Sequence, residues 1–158
     1  MSRKKMKNSE KMEYLFYFKK QIISEQTIKL IITSLKDISP AVRETAASSI
    51  GIIGYPEAFV ALNNLIQAIN DIDVNVKTNA IWAIGKFAQY CDLSVLNIII
   101  DNLNKSNVWK VKMACLITIT NFGDKFAKYS LPILKKLLLK DSTVNKQIVC
   151  EVMVIYFL

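Results

Sequence analysis

The 158-residue sequence predicts an all-α fold assembled from repeated helix–turn–helix units, and three observations carry that expectation. Only four Gly and three Pro punctuate the chain, too few for an all-β fold that must turn about every 8–12 residues. Hydrophobic residues make up 52% of it, which excludes disorder over most of the length, because disordered chains are poor in apolar residues. Finally, a pattern recurs about every 34 residues: Asp37–Gly54, Asp71–Ala88 and Ser106–Gly123 align, and Asp141–Tyr156 is a shortened fourth copy. A recurrence of this period marks stacked supersecondary units.

Taken in order, residues 1–9 form a basic tail that we expect to be disordered. Residues 10–23, with Met12, Leu15, Phe16, Ile22 and Ile23, form an amphipathic stretch suited to an N-terminal capping helix. Residues 10–158 then read as a single domain with repeats at about 24–54, 55–90, 91–123 and 124–158. The first helix of each repeat is expected over Thr27–Lys36, Pro56–Asn70, Leu93–Asn104 and Lys125–Lys140. The second helix of each is anchored on a valine, Val42, Val76, Val111 or Val144, and these are spaced 34, 35 and 33 residues apart. Apolar residues follow each anchor at +4, +5, +8 and +11: Ala46, Ala47, Ile50 and Ile53 in the first copy, Ala80, Ile81, Ile84 and Phe87 in the second. Cys115, Leu116, Ile119 and Phe122 repeat the spacing in the third copy, and Ile148, Val149, Val152 and Ile155 in the fourth. This is the spacing of one helix face.

The punctuation agrees. Ser24, Asp92 and Asp124 are suited to N-capping first helices, and Asp37, Asp71, Ser106 and Asp141 to capping second helices. Gly54 and Gly123 suit left-handed helix ends, and Pro56 a first helical turn.

The pattern Asp-x-x-x-x-Val-Arg-x-x-Ala, present as Asp37, Val42, Arg43, Ala46 and again with Lys as Asp71, Val76, Lys77, Ala80, resembles HEAT repeats. In the third copy Ser106 replaces the Asp, and in the fourth Asp141 falls three residues before Val144. The resemblance covers roughly residues 24–158. It implies a right-handed α-solenoid of about four HEAT-like repeats, first helices on the convex side and second helices on the concave side. It also implies an inter-repeat polar ladder made by the Arg43, Lys77 and Lys112 positions with the preceding Asp. Stacking is physically required, since one helix pair cannot bury its own apolar stripe. The last residues, Val152–Leu158, carry no polar cap, so we expect a longer array or an end covered by a partner.

The sequence contains no His, which removes the usual general base and commonest metal ligand. No phosphate-binding loop or nucleophile motif is present, so the expectation is a non-enzyme without cofactor or metal. Cys91, Cys115 and Cys150 are odd in number and widely spaced, which reads as reduced thiols in a cytoplasmic or nuclear protein. No apolar run reaches the roughly 20 residues of a membrane span, and Lys11, Glu13, Lys19 and Lys20 interrupt any signal-peptide core.

The formal charge of +8 is polarised. Residues 1–20 hold seven basic and two acidic residues, residues 21–103 five and eight, and residues 104–158 nine and three. The Lys-rich C-terminal half supports nucleic-acid binding as an alternative function, although Lys lacks the bidentate geometry of Arg.

At about 100° per residue, the second helices turn Trp82, Lys86, Met113 and Ile117 away from the core, beside the small Gly51, Gly85 and Thr120. Small residues there predict a furrow, and large exposed apolar residues mark partner sites. Trp82 equally fits a packing role over Ser48 and Gly51 of the preceding repeat. Trp109 stands in the turn Ser106-Asn-Val-Trp-Lys-Val-Lys112, which resembles the tubulin-contacting turn of TOG domains and equally fits a hydrophobic plug. The expected function is therefore a HEAT scaffold binding a protein helix or extended peptide. Trp82, Trp109, Met113 and Ile117 are its candidate anchors, and Lys86, Lys110 and Lys112 would steer an acidic partner. A tubulin-binding TOG-like module is a further alternative.

Overall fold

The computed structural model describes residues 23–140. The expected basic tail, nearly all of the capping stretch and the second helix of the fourth copy, with Val144 and Cys150, lie outside the described residues. Within them the chain is all-helical: α1 Glu25–Ser34, α2 Pro40–Ile53, α3 Leu62–Ala68, α4 Val74–Gly85, α5 Leu93–Lys105, α6 Trp109–Asn121 and α7 Ala127–Lys140. No described helix is long and apolar enough to cross a membrane.

Local chemistry sets the helix ends. Ser24 Oγ accepts the Thr27 N–H at 3.1 Å and starts α1. Asp92 does the same for α5, accepting Ser94 N–H and Val95 N–H. The second helices start differently from the sequence expectation. Their N-cap residues are Ser39, Asp73 and Val108, two positions after Asp37, Asp71 and Ser106. Each of those three instead accepts the N–H of the cap residue: Asp37 from Ser39 at 2.8 Å, Asp71 from Asp73 at 2.9 Å and Ser106 from Val108 at 3.1 Å. A short polar side chain bonding two residues on builds a turn of its own, so these residues shape the approach to the helix. Gly54 and Gly123 take positive φ of 73° and 65° at helix ends, as expected.

Pro56 does not open a helix. Turns closed by Ala58 N–H to Gly54 and Phe59 N–H to Pro56 intervene, a 3₁₀ turn follows over Phe59–Ala61, and α3 begins only at Leu62. The reason is aromatic packing. Tyr55 stacks on Tyr90 with centroids 3.6 Å apart, and Phe59 meets Tyr55 and Phe87 edge to face at 5.6 Å. These contacts hold the Tyr55–Phe59 loop against the end of α4.

Helices α1, α3 and α5 each pack on the helix that follows, and α2, α4 and α6 pack side by side with α4 in the middle. The apolar spacing of the sequence delivers the core: Ala47, Ile50, Ala80, Ile81, Ile84, Phe87, Cys115, Leu116 and Ile119 are all buried. Fully burying one large aliphatic side chain contributes about 1.5–3 kcal/mol. Among the anchor valines, Val76 and Val111 are buried. Val42 is exposed, lining an open apolar depression with Ile31 and Ala46 on the α1–α2 face.

Small residues let the second helices approach closely. A Cβ placed on Gly51 would lie 2.5 Å from the Trp82 ring, and one on Gly85 would lie 2.9 Å from Thr118 Oγ1. The expected furrow at these glycines is therefore filled by side chains of the next helix. Polar bonds cross the same contacts: Thr118 Oγ1 donates to the Ile81 carbonyl at 2.9 Å, and Asn79 Nδ2 donates to Glu44 Oε1 at 3.2 Å.

Candidate functional site

Helical periodicity brings the outward positions of α2, α4 and α6 onto one surface. There Ser48, Asn79, Trp82, Lys110, Met113 and Ile117 line an open groove of about 380 Å³. Trp82 forms one wall. Its ring lies over Gly51, and Lys86 Nζ sits 4.7 Å from the ring centroid, an arrangement in which the ammonium is attracted to the π face. One part of the indole thus packs on α2 while the remainder lines the groove. Met113 is half-buried and packs against the core, whereas Ile117 is 46% exposed.

The cations divide into three cases. Lys110 Nζ reaches Asn75 Oδ1 at 2.5 Å, which fixes it at the groove rim across α4 and α6. Lys86 connects the groove to a second, polar depression of about 560 Å³ at the ends of α4 and α6, lined by Gln89, Tyr90, Thr120 and Asn121. Lys112 does not belong to this surface: it is only 6% exposed, so it is not among the charges an incoming partner meets. The helix turn that exposes Lys110 buries position 112 instead, the position that aligns with Arg43 in the sequence pattern.

Trp109 is not brought to the groove either. It is the first residue of α6, 42% exposed, on the edge formed by the turns between paired helices. That edge also presents Ile38 and Ile72, 96% and 93% exposed. Neither isoleucine is among the partner residues expected from the sequence. The available signal was their placement one residue after Asp37 and Asp71, in turns too short to cover them.

The Arg43 ladder position is explained by geometry. Arg43 Nε and Nη2 donate to the two carboxylate oxygens of Asp71 at 2.7 and 2.8 Å, and Nη1 donates to the Asp37 and Ile38 carbonyls. The carboxylate partner is therefore the Asp of the following copy, and Asp37 contributes its backbone oxygen. The Arg43 guanidinium holds the Asp71 carboxyl below the usual range, with help from the Asp73 N–H and Lys77. Burial pushes the thiol of Cys91 up to about 11 and that of Cys115 up to about 12. Among the described residues no group of three or more His, Cys, Asp or Glu side chains is placed to hold a metal ion.

The chain matches no protein-family model and no curated protein sequence.

Proposed function

We propose that the chain is a HEAT-like array, a right-handed α-solenoid of about four repeats, acting as a non-enzymatic scaffold that binds a protein segment. The repeat reading is supported by side-chain devices that recur with the sequence period. Turn bonds at Asp37, Asp71 and Ser106 recur in this way, and the Asn79–Glu44 and Lys110–Asn75 bonds, made at different positions of the pattern, each join neighbouring copies 35 positions apart.

The observation that carries the functional reading is the groove itself. It places a half-exposed Ile117 and the edge of Trp82 beside Met113 on the adjacent helices α4 and α6, with Ser48 of α2 also in the lining and lysines at both ends. Apolar anchors in a surface furrow accept the apolar face of an amphipathic helix or the alternate side chains of an extended peptide. Lys86 and Lys110 favour an acidic partner.

Ile117→Asp is the informative substitution, because Ile117 is exposed enough for its loss to spare the core. Proteins retained by the immobilised wild-type chain are identified, and the affinity of each purified candidate is then measured for both forms. A hot-spot loss of about 2 kcal/mol, roughly thirtyfold in Kd, with unchanged helical circular dichroism is the expected result. Equal affinity of the two forms for every retained protein would remove the groove from the binding surface.

A further inference from the structure

Two successive junctions share their turn bond and differ in their charged pair. At the first, Asp71 Oδ1 accepts the Asp73 N–H and the carboxylate takes both Arg43 donors. At the second, Ser106 stands where Asp71 stood and Lys77 where Arg43 stood. Ser106 Oγ still accepts the Val108 N–H at 3.1 Å, so the turn is preserved, but the carboxylate is gone. A pocket of about 140 Å³ remains, lined by Lys77, Asn102, Lys105, Ser106 and Val108 with no acidic residue. That is room for roughly four or five waters at liquid density.

Charge balance follows from the same comparison. Lys77 is half-buried and forms no ion pair among the described residues. Asp71 lies near enough to feel Lys77, but both its oxygens are engaged by Arg43. The second cation, Lys105, has only a 3.8 Å contact to Asp101, with both side chains largely in water, where such pairs are weak. From this missing group we infer that the Lys77–Lys105–Ser106 pocket is a carboxylate-binding site that takes the acidic side chain of a polypeptide partner. The surroundings favour a polypeptide source, since Val108 lines the pocket and the exposed apolar Ile72 and Trp109 stand just before α4 and at the start of α6, where they offer contact to the residues next to that acid. The site is separate from the Trp82 groove and does not rest on it.

The test compares the full-length wild type with Ser106→Asp, which supplies the carboxylate internally, and Ser106→Asn, which keeps the turn bond without the charge. Melting temperatures are recorded against sodium acetate and against sodium chloride at equal ionic strength. The wild type and Ser106→Asn should gain stability from acetate beyond chloride, whereas Ser106→Asp should start higher and show no acetate-specific gain. The same response in Ser106→Asp as in the wild type would overturn the site, as would the absence of any acetate-specific response in the wild type. Lys77→Gln, folded by circular dichroism, should lose the response. A capped peptide with one Glu between two Leu residues, compared with its Gln counterpart, identifies the source. Tighter binding than acetate that depends on Glu places the acid on a polypeptide, and binding no better than acetate assigns the pocket to small free carboxylates.

Discussion

The ring of Trp82 occupies the space that a side chain at Gly51 would need. A Cβ at residue 51 would lie 2.5 Å from Trp82 Cζ3, 2.8 Å from Cε3 and 3.0 Å from the Ala83 Cα. Wall and packing contact are one side chain, so the groove's shape is coupled to the distance between α2 and α4. Gly51→Ala should therefore destabilise the fold by about 1–3 kcal/mol, the range for overpacking a close contact. It should also push the indole outward. In a Trp109→Phe background the Trp82 emission would shift to the red; unchanged emission together with unchanged stability would show that the helices simply move apart.

Arg43, near the start of α2, pairs with Asp71 in the turn before α4, 28 residues on in sequence, and both side chains are mostly buried. Because the folded Asp71 carboxyl titrates below its unfolded value, its stabilisation is complete above the unfolded carboxylate pKa of about 3.9. It is lost as pH falls through the lower folded value. Asp71→Asn keeps an oxygen for the Asp73 N–H and removes only the charge. The variant should melt below the wild type at pH 7 and converge with it near pH 2. A gap that stays constant across this range would mean that the ion pair carries no pH-linked stability.

Thr118 is buried in α6 and donates to the Ile81 carbonyl of α4. Thr118→Val keeps the shape and removes the donor. A loss of about 1 kcal/mol in chemical denaturation is expected, the usual net worth of one such bond.

Cys91 and Cys115 are buried, and their thiols titrate near 11 and 12 against an ordinary 9.0. At pH 8 their thiolate fractions are thus at least about a hundredfold lower than that of a free thiol. In a Cys150→Ser background, native protein should react with Ellman's reagent at least that much more slowly than denaturant-unfolded protein. Rapid native labelling would show that the core around these cysteines opens.

Much of the fold was legible because helical periodicity is a local property. Positions +4, +5, +8 and +11 from Val42, Val76 and Val111 point to the core whatever the neighbours are, and twelve of the twelve described residues at those positions are buried. Ser24 and Asp92 cap α1 and α5 as read, since a cap bond reaches only two or three residues. The outward apolar residues were legible on the same ground, for Trp82, Met113 and Ile117 follow from angular position alone, but the place of the groove was not, since the furrow expected at Gly51 and Gly85 is filled.

Other features depended on what stood opposite. The sequence by itself determined helix pairs, their apolar stripes and the outward face carrying Trp82 and Ile117, because these follow from the rotation per residue. The tertiary structure alone decided that Arg43 takes the carboxylate of Asp71 and not that of Asp37, that Trp82 fills the gap at Gly51, and that Lys112 is buried while Lys110 is exposed. It also decided that α3 waits until Leu62, once Tyr55 and Phe59 have met Tyr90 and Phe87. A long side chain or an aromatic ring reaches several ångströms from its backbone. Its final partner is set by which helix is packed there, and no local pattern encodes that.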